Sequence, residues 1–154
     1  MSHFWERTGT VIGRILLGLI FLASGIGKAT TFNTTVDHVK GTMTDAGIPD
    51  GAVVPLIVAA IVFEILGSLM IILGLFTRFG AILLIIFLVV VSPVFHKFWT
   101  LEPKTPQYQE QMINFMKNVA ILGGMLILLA RGPGLCSVDN VFRKKVQGAP
   151  GATS

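Results

Sequence analysis

Residues 53–76, VVPLIVAAIVFEILGSLMIILGLF, form an apolar run with a single charge, Glu64, near its middle. Three more runs of similar character cover 11–29, 78–98 and 112–131, the third reaching Phe98 by continuing past Pro93. At about 1.5 Å of rise per residue, roughly 20 helical residues cross the hydrocarbon core of a bilayer. The spacing therefore predicts four transmembrane helices. A soluble four-helix bundle would carry polar faces on its helices, and these runs lack them. Charged residues make up only 13 % of the chain against about 25 % in soluble domains. The fold class expected is all-α: an integral membrane four-helix bundle, one domain over 1–154, with both termini on the same side.

The first run does not read as a cleaved signal sequence. Lys28 follows it, and no small-residue cleavage site leads into a polar mature chain. With four spans, one side carries Arg7, Arg14, Arg78, Arg131, Arg143, Lys144 and Lys145, and the other carries Lys28, Lys40, Lys97, Lys104 and Lys117. This bias places both termini in the cytoplasm. The net charge of +4 is distributed as a topology signal, and no nucleic-acid partner is expected.

The connections are uneven. The stretch 30–50 has Val36, Val39 and Met43 at helical spacing, which predicts a short helix on the outer surface. Its Asn33-Thr34-Thr35 triplet says little without a compartment. The second and third spans are separated by almost nothing, so they form an antiparallel hairpin. Trp99 and Tyr108 in the outer loop suit a membrane interface, while Pro103 and Pro106 argue against a long regular helix there. After the fourth span, Gly132, Pro133 and Gly134 stop the helix, and Ser137 or Asp139 would cap a short interfacial helix over 138–146. The single Cys136 excludes an internal disulfide.

Charge inside a bilayer costs on the order of 3 kcal/mol per residue and marks candidate function. In the first span Arg14, Gly18, Phe21, Gly25 and Lys28 share one helical face. Its two glycines allow close helix approach. Arg14 and Lys28 lie about 21 Å apart along the axis, and both are long enough to reach an interface. Glu64 is too short to do so. It is either protonated or paired with a cation, and Gly67 and Gly74 continue its face. The candidate cations are Lys117 and Lys28, with Lys117 ranked first because apolar sequence surrounds it. His96 is a third member near the outer end, and Gly124 a further packing position. A purely structural ion pair that fixes helix register stays open beside a functional role.

His3 and His38 sit in polar segments. The three histidines form no metal signature, so no metal is expected. P-loop, dinucleotide and nucleophile-elbow motifs are absent. No intrinsic cofactor is expected, and His96 alone is a poor haem ligand set.

RILLGLIFLASGIGK (14–28), FEILGSLMIILGLFTRFGA (63–81), NFMKNVAILGGMLILL (114–129) and GPGLCSVD (132–139) follow one another as in the DoxX-like membrane proteins, and over about 125 residues the chain resembles that family. The resemblance implies a four-helix protein of the bacterial inner membrane. It also implies that Arg14, Gly18, Phe21, Gly25, Lys28, Glu64, Gly67, Gly74, Arg78, Lys117, Asn118, Gly132, Gly134, Ser137 and Asp139 are family positions, without settled chemical roles. Some members are subunits of thiosulfate:quinone oxidoreductase. The first functional expectation is therefore a membrane subunit of a quinone-linked oxidoreductase system, with quinone as the candidate small molecule and a separate subunit carrying the redox centre. The alternatives are an anchor or assembly subunit and a small-molecule or lipid transporter. A transporter would need a homodimer to supply repeat symmetry. Membrane lipids are partners in every case.

Overall fold

In a computed structural model, which describes residues 2–134 and 137–140, the described residues form helices and the short links between them. The order is α1 (Ser2–Thr30), α2 (Phe32–Asp45), α3 (Asp50–Leu73), α4 (Thr77–Phe95), a single 3₁₀ turn (Phe98–Thr100) and α5 (Pro106–Arg131). Four of these, α1, α3, α4 and α5, are long and apolar enough to cross a membrane. Large apolar side chains cover the outside: Leu16, Ile113 and Ile127 are each more than 60 % exposed. A monomeric soluble protein rarely shows so continuous an apolar surface, and hydrocarbon is the solvent that suits it.

The boundaries follow local chemistry. The chain leaves α3 through Gly74 at φ 70°, a left-handed conformation that favours glycine. Phe76, at φ 48°, then starts α4 at once, giving the expected antiparallel hairpin. The α-helix of the third span ends at Phe95, and a separate 3₁₀ turn over Phe98–Thr100 follows it within the candidate span Thr77–Thr100. The fourth span begins six residues before the expected 112, at Pro106. Pro106 does not interrupt the helix but opens it. Its fixed φ suits the first turn, and Thr105 Oγ1 accepts from Tyr108 N at 3.2 Å as the cap.

The helices are joined by close backbone approach. A Cβ at Gly18 would collide with Ile72. One at Gly25 would lie 2.8 Å from Ile65 Cγ1 and 3.1 Å from Glu64 Cβ. Gly67 and Gly80 bring α3 and α4 together, each facing the other's carbonyl oxygen. Gly124 of α5 receives the Leu17 side chain of α1. Thus α1 lies along α3, α3 along α4, and α4 along α5, while α1 and α5 touch more sparingly. Ile71, Ala81, Leu84 and Met125 fill the middle with no exposure at all.

The connection between the first two spans contains the expected short helix, but α2 is more than a surface segment. Met43 is buried against Val53 and Ile57, with Val36 and Val39 packed around them. Past α5, Ser137 Oγ accepts from Asn140 N at 3.2 Å, which assigns the cap to Ser137. Asp139 has a different role. Its carboxylate accepts from Phe76 N (2.8 Å), Thr77 N (3.1 Å) and Thr77 Oγ1 (3.3 Å), so it caps α4. The remainder of the predicted 138–146 helix, and Cys136, lie outside the described residues.

Candidate functional site

A cavity of about 330 Å³ lies between α1, α3, α4 and α5 in the half of the bundle covered by α2. Most of its wall is apolar, including Phe21, Ile57, Phe87, Leu88 and Phe95. Ser24, Lys28, Glu64, His96, Lys117 and Asn118 supply the polar groups. Thr35, Val39 and Met43 of α2 form its roof. Toward the opposite end, the fully buried Ile71, Leu84 and Met125 close the interior. The chamber is therefore one-sided.

Glu64 is 1 % exposed, deep in α3. Its two oxygens accept from Lys28 Nζ at 2.9 and 2.8 Å. Lys28 Nζ also donates to Ser24 Oγ at 2.5 Å and stands 5.9 Å from the centre of the Phe87 ring. Two carboxylate oxygens and one hydroxyl thus take the three ammonium protons. This answers which cation meets the carboxylate, and it corrects the first-ranked sequence expectation. Lys117 does not pair with Glu64. It is exposed, and its Nζ donates to Asn114 Oδ1 at 3.0 Å. The reason is helix order: Gly25 brings α1 against the Glu64 turn of α3, whereas α5 runs along α4. Lys117 lines the same chamber without touching the carboxylate.

His96 also lines the chamber, and its Nδ1 lies 2.8 Å from Gln111 Oε1, linking the end of α4 to α5. Asn118 Nδ2 donates to Ser92 Oγ at 3.0 Å, a second polar link between the same helices. Arg14 belongs elsewhere. It is 3 % exposed near the middle of α1, fourteen residues before Lys28, beside Gly74 and Ser137. The candidate polar set is therefore split: Lys28, Glu64, His96 and Lys117 share one chamber, and Arg14 supports the α3–α4 turn. Among the described residues, no group of three His, Cys, Asp or Glu side chains is placed to hold a metal ion.

Ser24, Ser92 and Gln111 were not singled out from sequence. Ser24 carries the readable signal, since it sits one helical turn before Lys28 on the same face. Gly80 was missed too, because the Gly67–Gly80 contact becomes visible only when the α3–α4 hairpin is aligned.

The DoxX family model matches residues 9–97. Inner membrane protein YphA of Escherichia coli (strain K12) is 35 % identical over 131 residues, covering 84 % of this chain and 86 % of YphA. Inner membrane protein YqjF of the same organism is 32 % identical over 142 residues, covering 91 % of this chain and 96 % of YqjF. A Surfeit locus protein 4 homolog of Schizosaccharomyces pombe is 28 % identical over 85 residues, covering 55 % of this chain and 28 % of that protein. No solved structure matches this chain.

Proposed function

This chain belongs to the DoxX family, and from that premise we propose that it is the membrane-embedded, quinone-binding subunit of an oxidoreductase system. The observation that carries the reading is the Lys28–Glu64 pair, set in the wall of an otherwise apolar chamber within the membrane-spanning region. The volume falls at the lower end of the range for small-molecule sites, and apolar walls with a few convergent polar groups are their usual chemistry. Lys28 would exchange its bond to Ser24 Oγ for one to a ring carbonyl oxygen of a quinone, keeping its contact with Glu64. Glu64 would accept from a quinol hydroxyl and hold its proton beside the Lys28 ammonium. Interconversion of the two forms moves two electrons and two protons, and a separate subunit would supply or receive the electrons.

The one-sided chamber favours this reading over through-transport, because the packed core leaves no continuous polar path across the described bundle. The residues of an anchor would need register, which an ion pair can provide. They would have no use for a chamber beside it. By analogy with its relatives, the protein sits in the bacterial inner membrane; the bias of basic residues supports an arginine-rich end that faces the cytoplasm.

Extraction from native membranes in mild detergent, followed by mass spectrometry of small molecules and copurifying polypeptides, tests the proposal. A retained quinone and a redox-centre subunit are the expected result. A protein carrying only phospholipid, with no redox subunit after chemical crosslinking before extraction, would contradict it.

A further inference from the structure

At the end of the bundle opposite the chamber, a second cavity of about 630 Å³ opens between the start of α4 and the end of α5. Arg78 and Arg131 both line it. A Cβ on Gly132 would lie 3.6 Å from Arg78 Nε and 3.7 Å from its Nη2, so the Arg78 guanidinium rests against the residue that follows Arg131. Both arginines are exposed, and among the described residues neither has a hydrogen-bond or ion-pair partner. Asp139 is the one acidic residue lining the cavity, and it does not neutralise them by contact. Its oxygens are engaged by Phe76 N, Thr77 N and Thr77 Oγ1. Phe76 and Phe79 also line the cavity and remain 65 % and 55 % exposed.

We infer that this cleft is a binding site for the phosphodiester headgroup of an anionic phospholipid. Two guanidiniums at the ends of adjacent spans lie at the depth of lipid phosphates, and a guanidinium fork matches phosphate oxygens in pairs. The Phe76 and Phe79 rings give the adjoining acyl chains an apolar surface. Arginines that served only as anchors would need no shared cavity. A soluble phosphate would satisfy the guanidiniums but leave the two rings without a partner, so the occupant is a lipid. Basic pockets between spans on the cytoplasmic side are a recurring means of holding anionic headgroups. The inference does not depend on what the outer chamber binds.

Thermal unfolding of the purified full chain in neutral detergent tests it, with dioleoylphosphatidylglycerol, dioleoylphosphatidylcholine or inorganic phosphate added. Phosphatidylglycerol should raise Tm by about 5 °C near saturation, while phosphatidylcholine and inorganic phosphate should not. The R78Q/R131Q variant should bind phosphatidylglycerol on the order of 30-fold more weakly, at roughly fivefold per arginine. R78K/R131K should retain part of the effect. Equal shifts from both lipids, or an unaltered response in R78Q/R131Q, would overturn the site. A shift from inorganic phosphate equal to that from phosphatidylglycerol would assign the cleft to a soluble phosphate instead. Should R78Q/R131Q not fold, the selectivity of the unaltered chain and its loss at high salt decide the matter, because an electrostatic headgroup site weakens as salt rises.

Discussion

The Lys28 ammonium spans both oxygens of Glu64 across the α1–α3 interface, at 2.9 and 2.8 Å, one turn from the point where Gly25 lets the two helices touch. The close helix contact and the ion pair are one arrangement. Glu64 is buried and Lys28 keeps 30 % side-chain exposure, so the lysine reaches in from the chamber to a carboxylate fixed in the core.

Removing one partner leaves the other charge inside the bundle. Lys28→Met should therefore cost about 2–3 kcal/mol, at the lower end for a buried pair because Lys28 is partly exposed. Adding Glu64→Gln to Lys28→Met should recover most of that loss. Lys117→Met should cost less than about 1 kcal/mol, since Lys117 is exposed and bonded only to Asn114 on its own helix. Thermal unfolding of these variants in one detergent checks all three values.

Neighbouring glycines on α1 should respond in opposite ways. A methyl at Gly25 enters the α1–α3 contact, so Gly25→Ala should destabilise by about 1–3 kcal/mol and loosen the ion pair. Gly27 has nothing within 4 Å of an added Cβ. Gly27→Ala should be neutral or stabilise by up to about 1 kcal/mol through helix propensity. The same unfolding assay separates them, and equal effects would show that α1 is not held against α3 at Gly25.

The Asp139 carboxylate satisfies two amides at the start of α4 and bridges the chain end to the α3–α4 turn. Asp139→Ala should cost about 1–2 kcal/mol, in the range of a lost helix cap. Amide exchange at Phe76 and Thr77 should accelerate more than exchange in the middle of α4. Uniform acceleration along α4 would contradict a local capping role.

How far these features can be read without coordinates varies by residue. Glu64 stood out because a carboxylate in the middle of an apolar span demands compensation. The glycine face of α1 stood out because its spacing matches one side of a helix. The partner of Glu64 was misjudged because depth along the membrane can be counted from sequence, but lateral neighbours cannot. Lys28 and Lys117 both approach from the same half of the bundle, and only the order α1–α3–α4–α5 decides between them. Pro106 was misjudged because a proline at the first position of a helix and a proline in a loop look alike until Thr105 is seen as the cap. The role of Asp139 depends on a contact 62 residues back along the chain, which no local pattern contains.

The central claim is that the chamber beside Lys28 and Glu64 holds a quinone. Titrating decylubiquinone into the purified protein, with thermal unfolding as the readout, tests it most directly. The unaltered chain should gain about 3 °C or more near saturation. The Lys28→Met/Glu64→Gln variant, with its fold intact and the apolar part of the chamber wall unchanged, should gain far less. No shift in the unaltered chain, or equal shifts in both proteins, would contradict the claim.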